Sequence, residues 1–349
     1  MNALTHRGVL AAIGAAALFG AGTPAAKLLL AHTSPWLLAG VLYLGSGLGL
    51  WVWRLLSKAP TISLQRAELG WLAGAVVAGG MLGPLLLMTG LAGMAAADAS
   101  LLLNAEGVFT ALLAWFVFKE NFDRRIALGM VAIAAGAAIL SWPDKSGIGA
   151  LWPSLAVLGA CLAWAVDNNL TRKVSVADAS FIAMTKGLVA GATNLALAFA
   201  TGASWPSAAV VAGAGLLGLL SYGTSLALFV VALRHLGTAR TGAYFSVAPF
   251  FGALLAIGLL GEQVTLQLML AGVLMAIGVW LHLTEKHWHR HAHEPLEHSH
   301  EHDHDAHHRH VHSDGSPATA KHTHWHRHEP MVHSHDHYPD IHHQHPHPH

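Results

Sequence analysis

Long apolar stretches alternate with short polar interruptions along the chain between Gly8 and Leu283. Each stretch has about 20 residues, the length that an α-helix needs to cross a hydrocarbon core of ~30 Å. Many of the interruptions contain Pro, Gly or Ser, as in HTSPW and GASWPS. The pattern predicts an all-α integral membrane protein with ten transmembrane helices, at residues 8–30, 35–56, 68–90, 94–118, 125–142, 150–171, 180–201, 208–233, 239–260 and 266–283.

The basic residues of the connections lie mainly on one side of this predicted bundle. The opposite side carries only Lys145, with Lys27 near a helix end. Because cytoplasmic loops are enriched in Lys and Arg, the basic side is expected to be cytoplasmic. Ten crossings return the chain to its starting side, so both termini are expected in the cytoplasm, at a bacterial-type inner membrane. The ten basic loop residues are Arg54, Lys58, Arg66, Lys119, Arg124, Arg125, Arg172, Lys173, Arg234 and Arg240.

The two halves of the chain resemble each other. The segment LLAWFVFKEN begins at Leu112 and LLAIGLLGEQ begins at Leu254, and they superpose at an offset of 142 residues. Glutamate then falls at the same helix end in both copies. The aligned residues are Leu112, Leu113, Ala114, Glu120, Ala134 and Gly136 with Leu254, Leu255, Ala256, Glu262, Ala276 and Gly278.

Each half contains five predicted helices, and an odd number of crossings inserts the second half upside down. Inverted repeats of this kind are typical of secondary transporters, whose substrate site lies near the midplane between the halves. We therefore predict two inverted five-helix repeats, at residues 8–142 and 150–283, followed by a disordered tail at 284–349.

Composition limits the classes of function. Only 11% of the residues are charged and the net charge is zero, whereas soluble domains carry roughly a quarter charged residues. The expected partners are the lipid bilayer and a small-molecule or metal-ion substrate, with no nucleic acid; homodimerisation is left open. The chain lacks the G-x-x-x-x-G-K-[ST] phosphate loop, so transport is expected to be passive or coupled to an ion gradient. No enzymatic activity is expected.

Ionisable residues inside membrane spans are costly and therefore mark candidate functional positions. Glu106 lies near the middle of the fourth predicted span, and Asp98 lies two turns before it. On one continuous helix both side chains can face the same cavity. We predict that Glu106 lines the substrate path. The alternative is a buried acid that pairs with Lys27 or Lys186 and holds the bundle together.

A second polar group lies in WAVDNNLTRK, near the inner end of the sixth predicted span. Three adjacent polar residues wrap most of the way round a helix, so at least one should face the protein interior. Lys27, near the outer end of the first span, aligns roughly with Arg172, although snorkelling to the headgroups explains it equally well. The candidates for the substrate path are Glu106, Asp98, Asp167, Asn168, Lys27 and Lys186.

Ten predicted helices in two inverted halves, with SVAPFFGALLAIGLLGEQ near the end of the second half, resemble the drug/metabolite transporter superfamily, EamA type, over roughly residues 8–284. That family has a proline in the ninth helix, then small residues, then Gly-Glu at the helix end; Pro249, Gly252, Gly261 and Glu262 match it. The first half departs from the pattern, with Gly107 where Pro249 aligns. The resemblance implies a ten-helix transporter that exports amino acids, metabolites, drugs or other solutes. It implies no catalytic motif and leaves the substrate undefined.

The tail differs from the rest of the chain, because residues 287–349 carry 24 of the 28 histidines. It has little to bury and much Pro and charge, which predicts disorder. Its histidines alternate, so in an extended chain neighbouring imidazoles point the same way. Imidazole binds nickel, cobalt, zinc and copper ions. The predicted metal ligands are His287, His289, His291, His293, His298, His300, His302, His304, His322, His324, His326 and His328.

These observations predict an alternating-access exporter of a small solute that requires no cofactor. Efflux of a divalent metal ion (nickel, cobalt or zinc), with the tail collecting ions, is the leading refinement. The alternative is export of an amino acid or other small metabolite, with the tail as a metal buffer or regulator. A membrane-anchored metal store or sensor is the alternative from another class, and the inverted repeat argues against it.

Overall fold

The structure is a computed structural model that divides into two compact units, Met1–Glu285 and Lys286–His349. Among the residues it describes, the first unit is helical and the second contains β-strands. The described residues are 3–59, 66–117, 124–142, 148–171, 174, 179–236, 241, 244–283, 287–293, 297–302, 322–327 and 331–337.

The first unit is built from α-helices, and two of its spans contain a π-helical segment between two α-helices. The first half contains α1 (Ala3–Leu30), α2 (Pro35–Leu56), α3 (Arg66–Ala75), π1 (Val76–Leu82), α4 (Gly83–Gly93), α5 (Ala96–Leu102), α6 (Ala105–Phe116) and α7 (Arg124–Leu140). The second half contains α8 (Ile148–Thr171), α9 (Ala179–Ala200), α10 (Ala208–Gly218), π2 (Leu219–Thr224), α11 (Ser225–Leu236), α12 (Ala248–Leu260) and α13 (Leu266–Leu283).

The predicted helical membrane fold is confirmed. Both ends of α2 and of α13 coincide with the predicted spans. Seven helical segments of the described chain are at least 18 residues long and apolar enough to cross a membrane. Large apolar side chains such as Leu56, Phe116 and Leu259 are exposed on the bundle surface. Soluble monomers rarely expose large contiguous apolar patches, so this surface suits lipid.

The fourth span is not one continuous helix, which corrects the prediction for residues 94–118. A turn at Leu103 and Asn104 separates α5 from α6. The ninth span has a turn at the corresponding place, because Ser246 and Val247 precede α12. Pro249 then lies in the first turn of α12, where its missing amide donor leaves no helical hydrogen bond unmade.

The π-helices also occur at matching places in the two halves. π1 lies between α3 and α4 in the third span, and π2 lies between α10 and α11 in the eighth. A π-helix has wider turns than an α-helix, and such segments occur frequently at functional sites. Their equivalent positions support the internal repeat independently of the aligned letters.

The helix packing follows the same twofold relation. α2 packs against α9, and α7 packs against α13. The contact of α1 with π2 and α11 has its counterpart in the contact of α8 with π1 and α4. Likewise, α1 packs against α12 as α8 packs against α6. These matched pairs are expected when two inverted copies pack about a common axis.

Glycines let α7 and α13 approach closely. A methyl group added at Gly136 would lie 3.0 Å from the Ala271 carbonyl oxygen, and one added at Gly278 would lie 2.6 Å from that of Gly129. The two contacts exchange under the 142-residue offset, since Gly136 aligns with Gly278 and Gly129 with Ala271. This interface therefore repeats the symmetry that the sequence predicts.

The tail contains four strands in its described residues, whereas its composition predicts disorder. These are β1 (His287–His293), β2 (Glu297–His302), β3 (His322–Arg327) and β4 (Met331–His337). β1 pairs with β4 and β2 pairs with β3, both antiparallel. Alternating histidines suit an extended chain, whose side chains alternate between two faces. His304 and His328, two of the predicted ligands, lie outside the described residues.

Candidate functional site

A hydrogen bond between the two repeats joins Glu106 to Asn168. The Asn168 side-chain amide donates to Glu106 Oε1 over 2.8 Å, and it also lies 3.4 Å from Thr110 Oγ1. Glu106 and Thr110 belong to α6 in the first repeat, and Asn168 belongs to α8 in the second. Asn168 is exposed and Glu106 is partly exposed. A carboxylate and an amide are thus accessible at the interface where transporters of this architecture bind substrates.

The interruption of the fourth span explains where Glu106 lies. Because α5 ends at Leu102, Glu106 falls in the first turn of α6. Unpaired amide groups and the helix dipole favour a negative charge at this end of a helix. The sequence treats residues 94–118 as one helix and therefore places Asp98 on a face near Glu106. In the structure Asp98 lies in the first turn of α5, and the turn at Leu103 and Asn104 separates it from Glu106.

A buried ion pair lies close to this hydrogen bond along α8. The Lys186 ammonium donates to both oxygens of Asp167, each over 2.6 Å. Thr171 donates to Asp167 Oδ1 over 2.9 Å. The side chains of Lys186 and Asp167 are only 18% and 7% exposed, respectively. Lys186 therefore has Asp167 as its partner, and the alternative of a Glu106–Lys186 pair is not the arrangement observed.

The π1 segment supplies backbone carbonyl groups to this region. The Gly79 carbonyl accepts hydrogen bonds from the Tyr43 hydroxyl and from Trp164 Nε1, each 2.9 Å long. The Gly80 carbonyl accepts one from the Asn194 amide, over 3.2 Å. The three donors come from α2, α8 and α9. Side chains of both repeats thus satisfy carbonyls in the widened turns, and π1 is tied into the centre of the bundle.

Aromatic rings extend from Tyr43 into the second repeat. Tyr43 lies 5.7 Å from Tyr222 of π2, measured between ring centroids, and Tyr222 lies 5.7 Å from Phe19 of α1. Phe245 lies 5.3 Å from Phe19. All four rings are partly exposed rather than fully buried. An accessible group of aromatic faces is suited to contact with organic cations and flat apolar groups.

A second polar arrangement holds the connection between α4 and α5. The Lys27 ammonium donates to the carbonyls of Leu91 and Met94, over 2.6 Å and 2.8 Å. Glu262 accepts from the amides of Ala96 and Ala97, each over 2.7 Å. Lys27 therefore caps the C-terminus of α4, and Glu262 caps the N-terminus of α5. This favours a structural role for Lys27.

The Gly-Glu pair at the end of α12 acquires a physical explanation from this contact. Gly261 has φ +68°, in the left-handed region that only glycine adopts readily, and it ends α12. The chain then turns and presents Glu262 to α5 in the other repeat. Glu120, the aligned residue of the first repeat, lies outside the described residues.

Sequence reasoning missed several residues of this region. Tyr43, Trp164 and Tyr222 look like ordinary aromatic residues of apolar helices, and Gly79 looks like a packing glycine. The one available signal was the hydroxyl of a tyrosine or the indole N–H of a tryptophan in the middle of a predicted span, because such a group needs a hydrogen-bond partner when it is buried. Asn169 belongs to the polar group of the sixth span; its side chain is buried and donates to the Ala165 carbonyl over 2.9 Å.

Replacing Gly79 with alanine is expected to destabilise the protein. The added methyl group would overlap the carboxylate of Asp167, so the ion pair with Lys186 would have to move. Gly70→Ala is the matched control, because nothing lies within 4 Å of its added methyl group. That control should be neutral or gain about 0.5–1 kcal/mol of stability, the usual helical preference for alanine. Thermal unfolding in detergent measures both variants, and equal stability of the two would contradict this packing.

Among the residues whose side chains the structure describes, no group of three or more His, Cys, Asp or Glu is placed to bind a metal ion. The polar region between the repeats contains two acids, Glu106 and Asp167, and one lysine, Lys186. The lysine reduces the net negative charge of this region.

Comparison with known proteins identifies related sequences over most of the helical unit. The model of a family described as the EamA-like transporter family matches residues 6–142 and 151–284. An uncharacterized transporter of Methanothermobacter thermautotrophicus is 31% identical over 208 residues, which are 58% of this chain and 60% of that protein. The chain thus matches less than two thirds of the length of this relative.

Two further similarities concern a shorter relative and a solved fold. A probable 4-amino-4-deoxy-L-arabinose-phosphoundecaprenol flippase subunit ArnE of Pseudomonas fluorescens is 37% identical over 82 residues, which are 24% of this chain and 71% of that protein. One crystal structure matches with a TM-score of 0.57 and 16% identity, covering 80% of this chain and 95% of the other. At that identity the match supports the fold alone.

Proposed function

The chain belongs to the EamA-like transporter family, and from this premise we propose that it is a secondary transporter that exports a small polar organic solute. The family and the names of the relatives indicate a transporter rather than an enzyme. The name of the archaeal relative states no substrate, and the flippase subunit matches only 24% of this chain, so the solute is inferred from the site. Inverted repeats with discontinuous helices support alternating access, in which the two repeats rock about a central site.

The observation that carries the proposal is the accessible Glu106 carboxylate, which accepts a hydrogen bond from Asn168 between the repeats. A carboxylate at this depth favours a solute with an ammonium group, because an unpaired charge inside a membrane protein is costly. Asn168 and Thr110 add hydrogen-bonding groups for the polar part of the solute. The aromatic faces of Tyr43 and Tyr222 suit contact with an organic cation. An amino acid or a similar amine combines these features.

Transport of a divalent metal ion is the second candidate. It is favoured by the histidines of the tail, which lie outside the helical unit. The described residues of the helical unit contain no cluster of metal ligands, so the tail alone supports this candidate. A metal store or sensor that moves nothing is disfavoured by membership of a transporter family.

Uptake into everted membrane vesicles tests the two candidates directly. Labelled amino acids and amines would be compared with nickel, cobalt and zinc ions, with and without an imposed ion gradient. We expect accumulation of an ammonium-bearing solute and no specific accumulation of metal. Vesicles that contain the Glu106→Gln protein serve as the control for background leakage. Specific accumulation of a metal ion alone would overturn the organic solute as substrate.

Both termini are expected to be cytoplasmic in an inner membrane. The bias of ten Lys and Arg against two between alternate connections supports this orientation. A reporter that is active only in the periplasm should stay silent when fused after His349 and become active when fused within the connection at 201–207. A periplasmic signal from the first fusion would contradict the orientation.

Deleting residues 287–349 is expected to leave transport of an organic solute nearly unchanged, because the matched family region ends at residue 284. If a metal ion is the substrate, deletion should instead raise the half-saturating concentration and leave the maximal rate unchanged, since the tail raises the local ion concentration. Initial rates over a range of solute and metal concentrations separate the two outcomes. Loss of all transport in a correctly inserted deletion variant would show that the tail is essential.

A further inference from the structure

The strand pairing of the tail places histidines opposite one another. In the ribbon of β1 and β4, His287 pairs with His337, His289 with His335 and His291 with His333. In the ribbon of β2 and β3 the same holds at three positions, where His298 pairs with His326, His300 with His324 and His302 with His322. The strands thus contain six histidine pairs, each formed by residues distant in sequence.

The two ribbons share one register. Each step forward along β1 and β2 is matched by one step backward along β3 and β4, and the count continues unbroken from one ribbon to the other. A single register therefore relates all four strands. Histidines occur at every second position, and a slip by one residue would set each of them opposite a different residue type. The alternation along the sequence therefore restricts the strands to registers that set histidine opposite histidine, and the structure adopts one of these.

We propose that the tail is a chelating module for divalent cations such as Zn²⁺, in which histidines at the six paired positions of opposite strands provide the ligands. Residues directly opposite in an antiparallel pair have Cβ atoms about 4.5–5.5 Å apart. That separation allows two imidazoles to share one ion. The nitrogen donors select zinc, copper, nickel and cobalt over magnesium and calcium, which prefer oxygen.

The proposal accounts for strand pairing in a segment that has little to bury. A two-stranded ribbon is marginally stable in water at best, and the tail lacks the apolar residues for a core. Metal ions that bridge the strands supply the missing free energy, as they do in small metal-dependent domains. Metal binding by the tail does not depend on which solute the helical unit carries, and it is measured without transport.

The first test compares two variants of the full-length protein in detergent, each lacking six histidines. The strand variant replaces one partner of every pair with glutamine, at His322, His324, His326, His333, His335 and His337. The matched control replaces six histidines that lie outside the four strands, at His304, His307, His308, His310, His312 and His328. Calorimetric titration with Zn²⁺ gives the affinity and stoichiometry of each, and Mg²⁺ is the ion control.

We expect the control variant to bind Zn²⁺ with the affinity of the unchanged protein. The strand variant should bind Zn²⁺ at least about tenfold more weakly. Each site loses the histidine of the opposite strand, and with it the gain in affinity that comes from holding two ligands on one chain. Equal losses in the two variants would mean that Zn²⁺ is bound by neighbouring histidines of one flexible segment, and the proposal would be wrong. Unchanged binding in the strand variant would overturn it equally.

A second measurement tests the pairing itself. Nitroxide labels on Arg290→Cys and Ser334→Cys, which face each other in the register, report the distance between β1 and β4. The buried Cys161 is replaced with alanine to avoid a third label. Zn²⁺ should convert a broad distance distribution into a short, narrow one, and should fail to do so in the strand variant. A distribution that stays broad when Zn²⁺ is bound would show that the metal does not join the strands.

Discussion

Replacing Glu106 with glutamine is expected to abolish transport while the protein still folds and inserts. Glutamine keeps an oxygen that accepts the hydrogen bond of Asn168, but it removes the negative charge. Hydrogen bonds to charged groups contribute about 1.5–3 kcal/mol, so binding of an ammonium-bearing solute should weaken by at least about tenfold. Folding should not suffer, because a neutral side chain costs less inside the membrane. Initial rates in vesicles and thermal unfolding in detergent measure the two effects.

The control for this variant is Glu68→Gln. It removes a carboxylate from the first turn of α3, at the end of a span rather than near its middle. This variant should transport at nearly the normal rate. Normal transport by the Glu106→Gln protein would remove this carboxylate from the mechanism and leave its contact with Asn168 as packing. Asn168→Ala is expected to reduce transport to an intermediate rate, because it removes the amide that binds Glu106 and leaves the charge of the Glu106 carboxylate.

The helical fold could be predicted because the membrane imposes a simple rule on each span. Every crossing needs an apolar stretch of sufficient length, and the polar connections mark its ends. The limits of α2 illustrate this, since Ser34 caps its N-terminus and Pro35 begins it. The turn at Leu103 and Asn104 escaped prediction because it lies inside an apolar stretch. Local and tertiary contacts meet at this turn: the Asn104 side-chain amide donates to the Leu101 carbonyl, Cys161 of α8 donates to the Leu102 carbonyl, and Asn104 lies against Met275 of α13.

The candidate site could be predicted only in part. Glu106, Asp167, Asn168 and Lys186 were identified because ionisable and amide groups are rare and costly inside a membrane. Their partners were not, because pairing depends on the relative rotation of helices that are distant in sequence. The π-helix at Gly79 determines which backbone carbonyls can accept side-chain hydrogen bonds. No single residue type in the sequence signals the wider turns of a π-helix. Metal ligation by the tail stays a prediction.

Breaking the ion pair between Asp167 and Lys186 on one side is expected to destabilise the protein by about 3–5 kcal/mol. Removing one member of a buried pair leaves the other charge without compensation, which costs this much in proteins generally. Asp167→Asn leaves the Lys186 ammonium without this carboxylate, and Lys186→Met leaves the carboxylate of Asp167 without this ammonium. Unfolding in detergent should show a large loss for each single variant.

The double variant Asp167→Asn with Lys186→Met separates structure from mechanism at this position. It carries no charge at either of these two positions, and replacing a buried pair with neutral residues is often neutral or stabilising. Its stability should therefore return to within about 1 kcal/mol of the unchanged protein, giving a strong coupling between the two substitutions. Because Asp167 is buried against Lys186 and Gly79, we expect the pair to hold α8, α9 and π1 together rather than bind solute. Transport should recover with stability. A double variant that is stable but inactive would instead place the pair in the substrate path beside Glu106.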